Sequence, residues 1–217
     1  KEYIVKTIVT TETIKTIAER NGVEMYDVYT GFKWIANVMR ENEGKKNYIG
    51  GGEESYGFLC EDFVRDKDAV SACVILAEIA AWAKDQGLSL YQLLQKIYVE
   101  YGFSKEKGIS VVKKGKSGAE EIEAMMKKFR ENPLTEIAGS KVTYFYDYST
   151  LKGKDYAENE TVTLDMPTTS NVLQYFTEDN TKVSIRPSGT EPKIKFYCEV
   201  HSKVKSIDEL PEAEKAA

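Results

Sequence analysis

Over the first fifty residues, short runs of alternating apolar and polar positions give way repeatedly to helical spacing. Tyr3 to Val9 reads as a strand, and Thr10 or Thr11 can cap a helix that carries Ile14, Ile17 and Ala18 and stops at Asn21-Gly22. Val23 to Tyr29 repeats the strand pattern, and after Thr30-Gly31 a helix carries Ile35, Val38 and Met39 on one face. Asn47 to Gly50 predicts a short strand running into a polar, Gly-rich loop, Gly51 to Gly57. Strand and helix in this alternation favour a parallel sheet with helices on its faces, whose functional loops gather at the carboxyl ends of the strands.

From Ala69 to Ala83 the polar face disappears. Val70, Cys73, Val74, Leu76, Ala77, Ile79, Ala80 and Trp82 predict a buried helix ended by Gly87. Ser89 and Gln92 form a capping-box pattern ahead of Leu90, Leu93, Leu94, Ile97, Tyr98 and Tyr101 at helical spacing, the aromatics among them being expected in the core. Around Gly102 the pattern changes, and the basic, glycine-punctuated stretch from Lys105 to Gly118 holds one short strand near Ile109 to Val112. This is the expected boundary between domains 1–102 and 103–217. Ser117 and Glu120 make a second capping-box pattern, for a helix with Ile122, Met125, Met126 and Phe129 that Asn132-Pro133 ends. Strands then dominate: Val142 to Tyr148, Val172 to Phe176, Val183 to Ile185 and Ile194 to Val200. The fold class expected is a three-layer α/β domain with a mainly parallel sheet, followed by an α+β domain with an antiparallel sheet.

Composition narrows the function. With 41% hydrophobic and 30% charged residues and a mean hydropathy of -0.44, the chain is a soluble globular type, and no apolar run approaches the roughly 18 residues of a membrane span. Lys1-Glu2-Tyr3 leads straight into a strand-like segment without a signal-peptide pattern, so the cytoplasm is the expected location. A net charge of -5 argues against nucleic-acid binding and makes any anion site local. Cys60, Cys73 and Cys198 are too far apart for a disulfide framework or a paired metal motif, and the single His201 receives no role.

Arg186-Pro187-Ser188-Gly189-Thr190-Glu191-Pro192, at an expected hairpin tip, concentrates the make-up of a phosphate cradle. A guanidinium gives a phosphate two parallel hydrogen bonds, hydroxyls add short ones, and glycine lets backbone N–H groups approach. Composition alone leaves open a plain Pro/Gly turn with a solvated Arg. This stretch resembles the phosphate-binding loop in the last domain of the α-D-phosphohexomutases, the phosphoglucomutase and phosphomannomutase family. Gly51-Gly52-Glu53-Glu54-Ser55-Tyr56-Gly57 resembles the family's sugar-recognition loop, and Thr30-Gly31-Phe32-Lys33-Trp34-Ile35 the segment before it. The three occur in family order and belong to its third and fourth domains.

The resemblance implies phosphate binding by Arg186, Ser188, Gly189 and Thr190, and sugar binding by Glu53, Ser55, Thr30 and Gly31. Lys67, in Arg65-Asp66-Lys67-Asp68, is a candidate for the active-site cleft, with Lys33, Lys195 and Arg65 weaker ones. The alternatives are a flexible glycine loop with solvated acids, Glu54 among them, and strand alternation that puts Lys193 and Lys195 in solvent. Asp62, Asp66 and Asp68 could suggest a metal, but Asp66 or Asp68 is better explained as a helix cap, and no metal is expected in this chain.

The family passes a phosphoryl group through a phosphoserine in a Ser-His-Asn-Pro loop of its first domain and holds magnesium in an Asp-Gly-Asp-Gly-Asp loop of its second. Neither motif occurs in this sequence. The expectation is the substrate-binding half of a phosphoglucomutase or phosphomannomutase, with upstream domains missing and no turnover of its own. Its ligands would be hexose phosphates and a hexose bisphosphate, without nucleic acid or membrane. A stand-alone phosphosugar-binding module, or an unrelated α/β protein with two structural turns, are the other readings.

Overall fold

A computed structural model describes residues 1–113, 115–189 and 191–217, with every side chain among them except that of Lys116. The chain opens with β1 (Glu2–Thr7), α1 (Thr13–Arg20), β2 (Glu24–Val28), α2 (Phe32–Asn42), β3 (Asn47–Glu53) and β4 (Gly57–Leu59). Their sheet has the order β2-β1-β3-β4, parallel between β1 and its two neighbours and antiparallel between β3 and β4. Tyr3 and Val5 alternate onto one face of β1 and meet Phe32, Ile35 and Met39 of α2 in a buried core with Val28, Tyr48 and Leu59. Thr11 accepts from the Thr13 N–H at 3.2 Å, although the cap position itself is Glu12.

The glycine stretch after Gly50 is not a loop. Gly51, Gly52 and Glu53 continue β3, all three paired with β4 and the two glycines also with β1, so that only 54–56 form a turn. Glycine is usually poor in strands. In β3 it is required by close approach, because a Cβ on Gly51 would lie 2.2 Å from the Val5 carbonyl oxygen.

Next come α3 (Ala69–Asp85) and α4 (Leu90–Tyr101). The side chain of Asp68 accepts from the Val70 and Ser71 N–H groups, and Ser89 and Gln92 form the capping box. The buried helix expected from the all-round apolar pattern is corrected by α3: Val70 is 74% exposed and Trp82 55%, Val74, Leu76 and Ile79 are also exposed, and Ala83 alone of the helix is buried. Leu90, Tyr91 and Leu94 of α4 are exposed too, while Tyr98 and Val99 pack with Phe103, Val204 and Leu210. Periodicity reports which faces are apolar, not what covers them.

The remaining elements are β5 (Phe103–Val112), α5 (Gly115–Glu131), β6 (Glu136–Ile137), β7 (Ser140–Asp147), β8 (Lys152–Asp155), β9 (Glu160–Thr163), β10 (Leu173–Thr177), β11 (Lys182–Pro187) and β12 (Lys193–Ser202), then a 3-10 turn (Ile207–Glu209) and α6 (Leu210–Ala216). The second sheet has eight strands, ordered β5-β12-β11-β10-β7-β8-β9 with β6 beside β7. Ile122 and Met126 of α5 cover its Leu173, Tyr175, Ile185 and Ile194. Two expectations change in this unit. The strand near Ile109 begins at Phe103, and α5 starts at Gly115 rather than at a Ser117 cap. Gly118 explains the earlier start, since a Cβ there would strike the Lys113 carbonyl at 2.5 Å, so the bare glycine lets the chain close onto the first turn. Two compact units result, Lys1–Ser104 with Lys203–Ala216, and Lys105–Ser202. The tail that the sequence pattern places with the second domain therefore packs with the first unit.

Candidate functional site

In the first unit the carboxyl ends of β2 and β3 and the β3–β4 turn carry the predicted sugar residues. Gly31, at φ 110°, is in a conformation that side chains rarely adopt, and it turns the chain from β2 into α2. Its N–H donates to Glu53 Oε2 at 3.1 Å, placing a carboxylate at the positive end of a helix. Gly57 stands opposite Glu53 in the β3–β4 register, and a Cβ there would meet Glu53 Oε1 at 2.9 Å, so the glycine makes room for the acid. Thr30 precedes this contact. Ser55 is exposed at the turn, and its hydroxyl donates to Glu54 at 3.1 Å.

Lys67 lies 5.9 Å from the Phe32 ring and pairs with Asp66 at 3.2 Å, which brings it to the start of α2. Lys33 is exposed on the next residue, over Trp34, and lines a 390 Å³ hollow with Arg40, Arg65 and Asp66; Arg65 itself pairs with Glu43. Sequence reasoning missed Lys6. It is wholly buried in β1 and held by Asp27 at 2.7 Å and Glu12 at 3.0 Å, and these two charges, outweighing the burial that opposes them, raise its pKa. A lysine amid an apolar strand run was the available signal.

In the second unit β11 and β12 form the expected hairpin, with Ser188 and Gly189 at its tip. The Ser188 N–H donates to the Lys193 carbonyl at 2.7 Å, and the Lys113 N–H closes the base of the turn on the Pro192 carbonyl at 2.8 Å. Ile185 faces α5, so Arg186 faces the other side, directly opposite Lys195. Like charges placed opposite one another in a sheet repel. Neither Arg186 nor Lys195 makes a salt bridge to an acid among the described residues; Glu191 pairs with Lys193 at 2.7 Å and also feels the charge of Lys195. Two opposed cations thus stand near the hairpin tip, where a Cβ on Gly189 would meet nothing within 4 Å. Thr190 lies outside the described residues. On the α5 side, Pro187, Ser188 and Gly189 also edge an open groove of about 1050 Å³ whose wall includes Arg130, itself fixed by Asp147.

His201 pairs with the buried Glu199 at 2.6 Å, and Lys182 lies 2.9 Å from the same carboxylate. Burial would raise the Glu199 pKa, but the bond to His201 and the Lys182 charge outweigh it and bring it down to about 2. This is structural pairing within the sheet. Among the described residues no three His, Cys, Asp or Glu side chains converge as a metal site.

The fold comprises two units: a mainly parallel α/β unit with an acidic, hydroxyl-bearing turn, and an antiparallel α+β unit with a cationic hairpin. The chain belongs to the phosphoglucomutase/phosphomannomutase family. Residues 1–101 match its alpha/beta/alpha domain III and residues 110–217 its C-terminal domain. It is 36% identical to the phosphoglucomutase of Staphylococcus haemolyticus (strain JCSC1435) over 91% of this chain and 36% of that protein. Identity to the phosphoglucomutase of Staphylococcus aureus (strain MRSA252) is 40% over 89% of this chain and 35% of the relative. The chain thus spans about a third of the length of these relatives. The fold is similar to the open form of Paramecium pp63/parafusin, a phosphoglucomutase (TM-score 0.63, 17% identity, 94% of this chain and 34% of that one). It is also similar to a phosphoglucomutase/phosphomannomutase family protein of Burkholderia thailandensis (TM-score 0.54, 14% identity, 99% of this chain and 36% of that one).

Proposed function

We propose that this chain is the substrate-recognition part of a phosphoglucomutase or phosphomannomutase, with residues 1–102 reading the sugar and residues 103–217 holding a phosphate. The observation that carries the reading is the Arg186–Lys195 pair, two cations opposed in one hairpin and without a salt bridge to an acid among the described residues, next to Ser188 and Gly189. Such an arrangement costs stability unless an anion occupies it. Glu53 and Ser55 supply hydroxyl-binding groups in an acidic turn that repels a phosphate, which supports a division of labour between the two units. Lys67 and Lys33 lie at the start of α2, the helix that Gly31 opens, and would add positive charge near the proposed sugar residues.

In a longer protein of this type the phosphoryl group would pass between the 1- and 6-positions of one hexose through a phosphoserine, with magnesium neutralising charge, in a cytoplasmic enzyme. The described residues do not make a magnesium site, so no step is assigned to the metal in this chain. What they contribute is binding and orientation. The uncovered apolar side chains of α3 also support a longer protein, since a helix apolar on every side is ordinarily buried.

Calorimetric titration with a hexose phosphate tests the phosphate assignment. Arg186→Ala removes a charge-assisted contact of about 1.5–3 kcal/mol, so affinity should fall roughly 10- to 150-fold. An unchanged constant would remove the cradle.

A further inference from the structure

Glu53 and Glu54 are adjacent acids with opposite allegiances. Glu53 leans toward α2 and keeps Oε1 without a hydrogen bond among the described residues. Glu54 leans toward β1: its Oε2 accepts from Thr7 Oγ1 at 3.1 Å and its Oε1 from Ser55 Oγ at 3.1 Å. Thr7 is wholly buried, the last residue of β1, and its hydroxyl lies 2.8 Å from that of Thr10.

These contacts fix the proton positions. A carboxylate only accepts, so Thr7 and Ser55 both donate to Glu54, and Thr10 must then donate to Thr7. The Thr10 carbonyl in turn faces Lys6 Nζ at 3.5 Å, and Lys6 is clamped by Asp27 and Glu12. The turn that carries Ser55 is therefore tied, through Glu54 and two hydroxyls, to a buried cation in the centre of the unit. Because the Ser55 proton is spent on Glu54, its oxygen is left to accept.

We infer that Glu54 is a positioning residue for sugar recognition, which anchors the turn to the end of β1 and makes the Ser55 hydroxyl an acceptor. The turn then offers two acceptors, Glu53 Oε1 and Ser55 Oγ. A ligand must bring two hydroxyl donors to it. This rests on the proposed assignment of Glu53 and Ser55 to the sugar, and it gives Glu54 and Thr7 work that neither touches the ligand to perform.

The test is calorimetric titration of the whole chain with hexose 6-phosphate, with inorganic phosphate, and with deoxyfluoro analogues of the sugar, whose C–F groups cannot donate. Thr7→Val removes the buried hydroxyl at constant shape and should weaken hexose phosphate binding about three- to tenfold while leaving inorganic phosphate unchanged. Thr7→Ser should restore it. In a Glu54→Ala background Thr7→Val should have no further effect. Glu54→Gln, whose amide can donate to Ser55 and free its proton, should narrow the preference for hydroxyl over fluorine. Thr7→Val and Glu54→Ala acting additively, or Thr7→Val weakening both ligands alike, would overturn the inference. So would an unaltered constant for Thr7→Val in a chain where Glu53→Gln weakens sugar binding. If Glu53→Gln also leaves hexose phosphate binding unchanged, the sugar assignment itself is what fails.

Discussion

Gly50, Gly51 and Gly52 are consecutive in β3 but differ in the space beside their Cα atoms, and substitution by alanine should separate them sharply. On Gly51 a Cβ would lie 2.2 Å from the Val5 carbonyl oxygen and 2.8 Å from the Tyr48 hydroxyl; on Gly52, 2.5 Å from the Gly57 carbonyl; on Gly50 the nearest atom is 3.6 Å away. Relief at Gly51 requires a shift of about 1 Å between paired backbones, because an ordinary C···O contact is roughly 3.3 Å. Overpacking costs about 1–3 kcal/mol where side chains can yield, and occasionally more. At Gly51 a strand paired on both sides must yield, so Gly51→Ala should cost about 3 kcal/mol or more. Gly50→Ala meets only ordinary contact and restricts the unfolded chain, so it should be neutral or stabilise by up to about 1 kcal/mol. Trp34 and Trp82 are the two tryptophans and both lie in the first unit, so fluorescence during urea unfolding reports that unit. At a typical slope of about 1–3 kcal/mol per molar urea, the Gly51 midpoint should fall by about 1 M or more. Equal midpoints for the Gly50 and Gly51 variants would refute the close-approach argument.

Two further outcomes are expected. The second unit should lose stability as pH falls from about 4.5 to 2, because Glu199 ionises at about 2 in the fold and near 4.5 when unfolded. Its folded pKa is depressed, so its contribution is complete above the unfolded value and vanishes on acidification, about 3 kcal/mol in all. Acid titration followed by circular dichroism should therefore show a shallower loss for Glu199→Gln, and identical profiles would contradict it. The chain alone should give no interconversion of hexose 1- and 6-phosphates in a coupled assay with magnesium and a hexose bisphosphate, since binding that is equal in ground and transition states does not speed the chemical step; turnover above an Arg186→Ala control would count against this.

What the sequence disclosed was whatever rests on near neighbours. Asp68 and the Ser89–Gln92 box are caps made within three residues, and the β11–β12 hairpin announces itself by alternation on both sides of a Pro/Gly turn. What it hid depends on distant partners. Gly51 reads as loop because its requirement is set by Val5, 46 positions earlier, and β4 was lost inside the same misreading. Glu54 reads as a solvated acid because the hydroxyl that holds it belongs to Thr7. For α3 the apolar pattern was read correctly and its burial was not, since composition cannot say whether a covering surface exists. Of the candidate site, the residues near Gly31, Glu53 and Ser188 were legible as types. The opposition of Arg186 and Lys195 needed the strand register.

The division of labour between the two units is tested most directly by titrating Glu53→Gln and Arg186→Ala with two ligands, a hexose phosphate and inorganic phosphate. Glu53→Gln should weaken the hexose phosphate alone, and Arg186→Ala should weaken both. If Glu53→Gln lowers the two affinities equally, or if Arg186→Ala spares inorganic phosphate, then the sugar and the phosphate are not read by separate loops and the division of labour is contradicted.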